Sequence, residues 1–504
     1  MAATVRSTTT TTLTKVLNPN HPTLHLTHPT PEPFTWNTLI IHRPTSPSPH
    51  SPLSIYLRMR RHRVPPDSYT FPSLLRSSSP STLPTLHAHL IHIAFASHPF
   101  VQTSLITSYS HHSNLACARR VFDDIPNPDL PTWNSIVSAC LKAGSLAVAR
   151  RLFLAMPERN VVSWTSMIEG HVKCGDCGGA MSLFKRMLDA ADVGMNAYTM
   201  SSVLSACARL GAIEQGRRVH GYICASGLRV DAVLGTSLVD MYAKCGCIES
   251  ARRVFDGMGD GDRDVMAWTA MIVGLAMHGR VGECLGCFAG LRRRMRPNAV
   301  TFLGVLCACA HAGLVDEGRE YFEAMRGEFA IAPEIQHYGC MVDLYSRAGR
   351  TEEAIGLVNS MGMEPDAHVW GAILSGSGAR VDARTCEAAI TRLVEVEPAK
   401  SAAGHVLLSN VYAKMGRWEG VRSVRGLMED NQMKKTPGCS VVEVGGVHHE
   451  FYVGDESHPE TGRIYSMLGE LMKRVRMVGS GGETGEVLLD LDQEDLELVL
   501  FHHF

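Results

Sequence analysis

The chain has 504 residues, 45% hydrophobic and 19% charged, an ordinary globular composition that excludes disorder throughout. No run of about 18 apolar residues occurs, which excludes a membrane-spanning helix. With a formal net charge of −2, any nucleic acid must be held by reading bases or local shape rather than mainly by counterion release.

From the N-terminus, Met1 to Pro31 contains no Asp or Glu, only Arg6 and Lys15 as strong bases, and the run Ser7 to Thr12. An acid-poor, hydroxyl-rich start predicts a transit peptide over 1–32, or else a disordered tail. Pro and His are dense from Pro19 to Pro99, and the stretch at 44–49 reads as loop.

From Trp36 onward the chain repeats. Trp133-Asn134-Ser135-Ile136-Val137, Trp164-Thr165-Ser166-Met167-Ile168 and Trp268-Thr269-Ala270-Met271-Ile272 are related, with weaker copies at Phe71, Met200, Phe302 and Tyr338. The anchors recur every 31 to 36 residues as far as Trp370. Gly144, Gly175, Gly211, Gly246, Gly279, Gly313 and Gly349 each follow their anchor by 11 residues. That interval predicts a helix of about three turns closed by a left-handed glycine. A second amphipathic segment follows, as in Ala118-Arg119-Arg120-Val121-Phe122, Ala149 to Phe153 and Ala251 to Phe255. Each unit is thus a helical hairpin that must stack on its neighbours, which predicts an all-α fold, a right-handed α-solenoid of helix–turn–helix repeats.

These units resemble the pentatricopeptide repeat proteins of plant organelles, in the subclass that alternates P-, L- and S-type units. The resemblance is carried by Val161-Val162-Ser163-Trp164-Thr165-Ser166-Met167-Ile168, Ser202 to Cys207, and Leu238-Val239-Asp240-Met241-Tyr242-Ala243-Lys244-Cys245-Gly246. It implies ten units over 33–366: 33–67, 68–98, 99–129, 130–160, 161–196, 197–231, 232–264, 265–298, 299–334 and 335–366. Proline and serine replace helix formers in the first two, which are expected to be degenerate.

In that family each unit reads one base of single-stranded RNA through its fifth and last residues. The resemblance therefore implies RNA contacts at Asn37 with Asp67 (U), Thr103 with Asp129 (G), Asn134 with Asn160 (C over U), Thr165 with Asn196 (A), Thr236 with Asp264 (G) and Thr269 with Asn298 (A). Ser201 with Asp231 and Gly339 with Asp366 occupy the same places but look uninformative, as does Leu303 with Glu334. Asp only accepts, which suits the ring N–H of U or G, whereas Asn also donates, which suits A or C. Asn or Asp before a helix is also an ordinary N-cap, so a single pair decides little. The second residue of a unit would wedge between bases, and that slot holds Phe34, Tyr69, Phe100, Val162, Tyr198, Val233, Met266 and Val300.

Two other features bear on chemistry. The 15 cysteines are odd in number and scattered through helical patterns, which argues against a secreted disulfide framework. Cys174/Cys177 and Cys284/Cys287 have zinc-like spacing without a completing pair, and are expected to be structural thiols. The clusters Arg58/Arg60/Arg61/Arg63 and Arg292/Arg293/Arg294/Arg296 could meet phosphates, but read first as solvated helix faces.

Beyond Asp366, Val369-Trp370-Gly371 to Ser375, Val406 to Ala413 and Gly416-Arg417-Trp418 resemble the first E motif of RNA-editing factors. Pro437-Gly438-Cys439-Ser440, His449-Glu450-Phe451 and Gly454 to Pro459 resemble the second, with Val441 in place of the usual Trp. Both imply helical hairpins for partner docking over 367–475. Glu486 to His503 resembles the opening of a DYW deaminase domain, a zinc enzyme built on His-x-Glu and C-x-x-C. The match stops at His503, so 476–504 is expected to be a truncated start, with no metal assigned to His502 or His503.

Together these readings predict a non-enzymatic specificity factor without cofactor that binds single-stranded organellar RNA, most simply for C-to-U editing. A DYW-type deaminase and other editing factors would act in trans, without a membrane, in plastid or mitochondrion with a weak lean to plastid. The alternatives are a protein-interaction scaffold, or a full zinc cytidine deaminase whose C-terminus is missing from this sequence.

Overall fold

Hydrogen-bonded caps and regularly spaced glycines divide the chain into helical hairpins. The computed structural model describes residues 33–41, 51–190, 194–376, 405–406, 409–410, 412–413, 416–430, 433, 438–444, 447–452 and 455–479. The expected transit segment, the loop at 44–49 and the tail with His502 and His503 lie outside the described residues.

The chain forms two compact units, residues 1–194 and 195–504. The first holds five hairpins: α1 (Pro33–Ile41) with α2 (Pro52–Arg61), α3 (Thr70–Arg76) with α4 (Leu83–His92), α5 (Pro99–His111) with α6 (Leu115–Asp123), α7 (Leu130–Lys142) with α8 (Leu146–Ala155), and α9 (Val161–Lys173) with α10 (Cys177–Asp189). The second continues with α11 (Ala197–Leu210) and α12 (Ile213–Ala225), α13 (Ala232–Lys244) and α14 (Ile248–Gly257), α15 (Val265–Met277) and α16 (Val281–Arg294), α17 (Ala299–Ala312) and α18 (Val315–Gly327), α19 (Ile335–Arg347) and α20 (Thr351–Asn359), then α21 (Ala367–Gly376). The first two hairpins form, but α3 has only 7 residues against 13 in α5, as their prolines and serines dictate. Trp36 and Phe71 are nonetheless buried in one core that extends to Ala139.

Each first helix ends as its glycine predicts. Gly211 (φ +65°) and Gly313 (φ +68°) donate their N–H to Cys207 O and Cys309 O, and the other five marker glycines share the left-handed region. The aromatic anchors then bind hairpin to hairpin. Phe122 meets Trp133 edge-on at 4.8 Å and Phe153 meets Trp164 at 4.9 Å in the first unit. Phe255 with Trp268 (4.8 Å), Phe288 with Phe302 (5.3 Å) and Phe322 with Tyr338 (5.3 Å) repeat the contact in the second. Such pairs contribute about 0.5–1.5 kcal/mol each beyond burial. Within each unit successive first helices pack side by side. This aligns one helix N-terminus per repeat along one layer.

The C-terminal region departs from expectation. After α22 (Trp418–Asp430) comes an antiparallel hairpin of β1 (Cys439–Val444) and β2 (Val447–Tyr452), in register from Cys439 opposite Tyr452 to Val444 opposite Val447. The helical hairpin expected for the second E motif is therefore corrected to a β-hairpin over this stretch. The physical reason is visible in the residues: Val441, Val442, Val444 and Val447 favour extended backbone. A final helix, α23 (Thr461–Gly479), runs across the expected boundary at 475/476.

Candidate nucleic-acid interface

In most repeats the last residue caps the first helix of the next, whereas His98 before α5 makes no side-chain cap. Asp129, Asn160, Asn196, Asp231, Asp264 and Asn298 all have extended backbone, and each side chain accepts from an amide in the first turn that follows. In each, Oδ1 does the capping: for example Thr132 N at 3.0 Å from Asp129, Ser163 N at 3.0 Å from Asn160, and Ala267 N at 2.9 Å from Asp264. The N-cap reading is therefore correct for one atom. The other atom, Oδ2 in Asp or Nδ2 in Asn, makes no hydrogen bond among the described residues at positions 129, 160, 196, 231 and 264. That second atom is an acceptor in Asp and a donor in Asn, so the cap leaves an outer end whose chemistry differs between the two residues.

The fifth residue stands in the first turn of the preceding first helix. Asn37 is buried (7% exposed) and donates Nδ2 to Asp67 Oδ1 and Oδ2 at 2.9 and 3.0 Å. Burial works to raise the Asp67 carboxyl. The hydrogen bonds from Asn37, the Thr70 hydroxyl and the amides of Thr70 and Tyr69 outweigh it and hold that carboxyl below its ordinary range. Asn134 reaches Asn160 more loosely, Nδ2 to Oδ1 at 3.4 Å. Thr103 and Thr269 do not touch the last residue directly. Thr103 Oγ1 lies 3.2 Å from Thr132 Oγ1, which in turn bonds Asp129 at 2.5 Å. Thr269 Oγ1 lies 2.7 Å from Thr301 Oγ1, which bonds Asn298 at 2.9 Å.

The remaining predicted pairs are held differently. Thr236 Oγ1 is buried without a partner, while Asp264 caps Met266 and Ala267. Ser201 turns to Ser237, 2.7 Å between hydroxyls, and not to Asp231. Gly339 faces open space and offers no side chain to accompany Asp366, which caps Val369 N at 3.0 Å. Thr165 lies in the first compact unit and Asn196 in the second. Asn196 Oδ1 accepts from both the amide and the hydroxyl of Thr199 at 2.9 Å.

The wedge slot is exposed in every unit where the sequence placed a large residue. Phe34 is 71% exposed, Tyr198 68%, Tyr69 65% and Met266 51%, with Phe100, Val162, Val233 and Val300 also exposed. Exposed apolar side chains of this size at the same position of successive repeats are chemically suited to stacking on flat partners. The Tyr69 and Phe100 rings lie 6.0 Å apart and tilted by 31°.

The arginine clusters differ from one another. Arg292 binds both oxygens of Glu328 at 2.9 and 2.8 Å, and Arg294 binds Asp260 at 2.9 Å. Both bridge to residues of neighbouring repeats, so this cluster joins hairpins instead of standing free for phosphate. In the cysteine pairs, Cys284 is buried and its thiol is pushed up to about 12, first by burial and then by nearby cysteines. Cys177 is buried and Cys174 exposed, with no metal-holding cluster among the described residues. Nor is any helix among the described residues long and apolar enough to cross a membrane.

Comparison with known proteins matches the same segments. A profile described as "PPR repeat" matches 131–161, 236–261, 266–294, 300–328 and 337–364; "PPR repeat family" matches 159–209, and "E motif" matches 381–443. A pentatricopeptide repeat-containing protein of Arabidopsis thaliana is 54% identical over 496 residues, covering 96% of this chain and 86% of the relative. Another from the same plant, named chloroplastic/mitochondrial, is 37% identical over 466 residues, 88% of this chain and 67% of its own. Among solved structures, the pentatricopeptide repeat protein PPR10 in complex with an 18-nt psaJ RNA element shares the fold at a TM-score of 0.63 and 16% identity. That match covers 79% of this chain and 61% of the other.

Proposed function

Because this chain belongs to the pentatricopeptide repeat family, we propose that it binds single-stranded RNA and reads it one base per repeat. The observation that carries the reading is the division of labour in the last residue: Oδ1 spent on the cap, and the second atom left beside an exposed wedge. A scaffold that bound only protein would need the cap but not the alternation of Asp and Asn at its outer end. The similar fold of a protein solved with an RNA element supports the same reading.

The site read would be, 5′ to 3′ along units one to ten, U-n-G-C/U-A-n-G-A-n-n. The activity served would be organellar RNA processing, with C-to-U editing the specific form, and with the deaminase acting in trans after docking on the E-motif region. The E-motif match over 381–443 supports the docking role, and relatives named mitochondrial or chloroplastic/mitochondrial support the organelle. Replacing Asn196→Asp exchanges the outer donor for an acceptor. In a gel-shift series the preference at the fifth base should move from A toward G, and an unchanged preference would remove the basis for the assignment.

A further inference from the structure

The polar pairs are joined by a third side chain. Thr70 Oγ1 lies 2.8 Å from Asn37 Oδ1 and 3.0 Å from Asp67 Oδ1. Ser163 Oγ lies 2.6 Å from Asn134 Oδ1 and 3.0 Å from Asn160 Oδ1. Thr132 links Thr103 to Asp129, and Thr301 links Thr269 to Asn298, in the same way. All four are the third residue of the following repeat and are nearly or fully buried: Thr70, Ser163 and Thr301 at 0% exposure and Thr132 at 1%. We infer that this hydroxyl is a positioning residue for base discrimination, additional to the reading pair and resting on the RNA-reading function proposed above.

The physical role differs with the pair. Where the fifth residue is Asn, the hydroxyl donates to its carbonyl oxygen, which fixes the amide with oxygen inward and Nδ2 toward the last residue. Without that donor the two orientations of the Asn134 amide, otherwise held only by the 3.4 Å contact to Asn160, approach each other in energy, whereas Asn37 keeps its Nδ2 on the Asp67 carboxylate. Where the fifth residue is Thr, its hydroxyl also lies 3.0 Å from Pro99 O (Thr103) or 2.7 Å from Val265 O (Thr269), and the third-residue hydroxyl is the second neighbour that fixes its rotor. A held group loses less freedom on meeting its base, so it rewards the right base more sharply.

The pattern of absences follows the pattern of the pairs. The third residue after each uninformative unit has no hydroxyl: Val101 follows 68–98, Leu234 follows 197–231, His337 follows 299–334 and Val369 follows 335–366. After the units with a reading pair stand Thr70, Thr132, Ser163, Thr199 and Thr301. The one exception is Ala267, after the pair Thr236 and Asp264. There the consequence is visible as the buried, unpartnered Thr236 hydroxyl. A buried polar group left unpaired is unfavourable, and it is the group that should face the base.

The test uses the full chain and synthetic RNAs that match the proposed site or differ at one base. Thr301→Val should lower the preference for A at the eighth base, on the order of tenfold for a lost orienting hydrogen bond, while the first and third bases are read as before. Thr301→Ser should keep it. Ala267→Thr should raise the preference for G at the seventh base several-fold, a gain that lost stability cannot imitate. Discrimination at the eighth base unchanged in Thr301→Val, or at the seventh base unchanged in Ala267→Thr, overturns the inference while leaving the pair reading intact. A wild-type chain that binds these RNAs with no preference at any paired unit overturns the pair reading itself, and the positioning role with it.

Discussion

Asp264 offers the cleanest separation of folding from the proposed reading, because its two carboxylate oxygens are held differently. Oδ1 accepts from Met266 N at 3.0 Å and Ala267 N at 2.9 Å, which holds the start of α15, while Oδ2 bonds nothing among the described residues. Asp264→Asn keeps an oxygen at the cap, and Asn and Asp cap about equally well, so the melting temperature should stay within error of wild type. Asp264→Ala removes the cap and should destabilise the fold by about 1 kcal/mol. The expectations for RNA run differently. Exchanging acceptor for donor at Oδ2 should turn the seventh-base preference from G toward A, with about 1–3 kcal/mol of discrimination at stake, as for well-formed contacts to a base edge. Asp264→Ala should weaken both RNAs and prefer neither. Thermal melts followed by circular dichroism give the first quantity, and fluorescence anisotropy on two RNAs differing at one base gives the second. If Asp264→Asn melts as low as Asp264→Ala, or if it binds the G-containing RNA as selectively as wild type, the division between the two oxygens is wrong.

Two further outcomes test the packing. Burial holds His220 below its ordinary pKa, with Nδ1 at 2.9 Å from the Tyr242 hydroxyl, so folding binds fewer protons than the unfolded chain does. Its stability contribution is complete above the unfolded value of about 6.5 and is lost as the pH falls through the lower folded value, so His220→Gln should flatten the fall in melting temperature on acidification from pH 7 to 5. Gly274 in α15 allows α13 to approach: a Cβ there would stand 2.7 Å from Ala243 Cβ, a group that cannot rotate away. Gly274→Ala should therefore destabilise by about 1–3 kcal/mol in a urea titration, despite alanine's better helix propensity.

What could be read in advance divides along physical lines. The repeat was legible because its markers are enforced locally. A left-handed cap admits glycine, and the Trp133 and Phe122 edge contact repeats wherever hairpins stack. The fifth and last residues were legible as positions, but not how they are held, since Asn160 looks the same whether it caps, reads, or does both. The third-residue hydroxyls were missed although their signal was present: a Thr or Ser at a fixed offset after every reading pair but Thr236 with Asp264, and none after the uninformative units. The β-hairpin was missed because the resemblance to helical editing motifs prevailed over the valine-rich, glycine-interrupted pattern of 439–452. Arg292 and Arg294 show the limit of composition, because whether an arginine faces phosphate or Glu328 depends on a carboxylate some 36 residues away.

The cap that closes one repeat and opens the next has a consequence for anyone rearranging these modules. The unit that folds runs from the first residue of a hairpin to its last. The unit proposed to recognise a base begins at the fifth residue, passes the hairpin's end, and finishes on the third residue of its successor. The two frames are offset, so exchanging whole hairpins between proteins would carry each reading pair away from the hydroxyl that orients it and join it to a stranger's. A splice placed after the third residue keeps Thr269, Asn298 and Thr301 on one fragment, and with them the specificity that the exchange was meant to transfer.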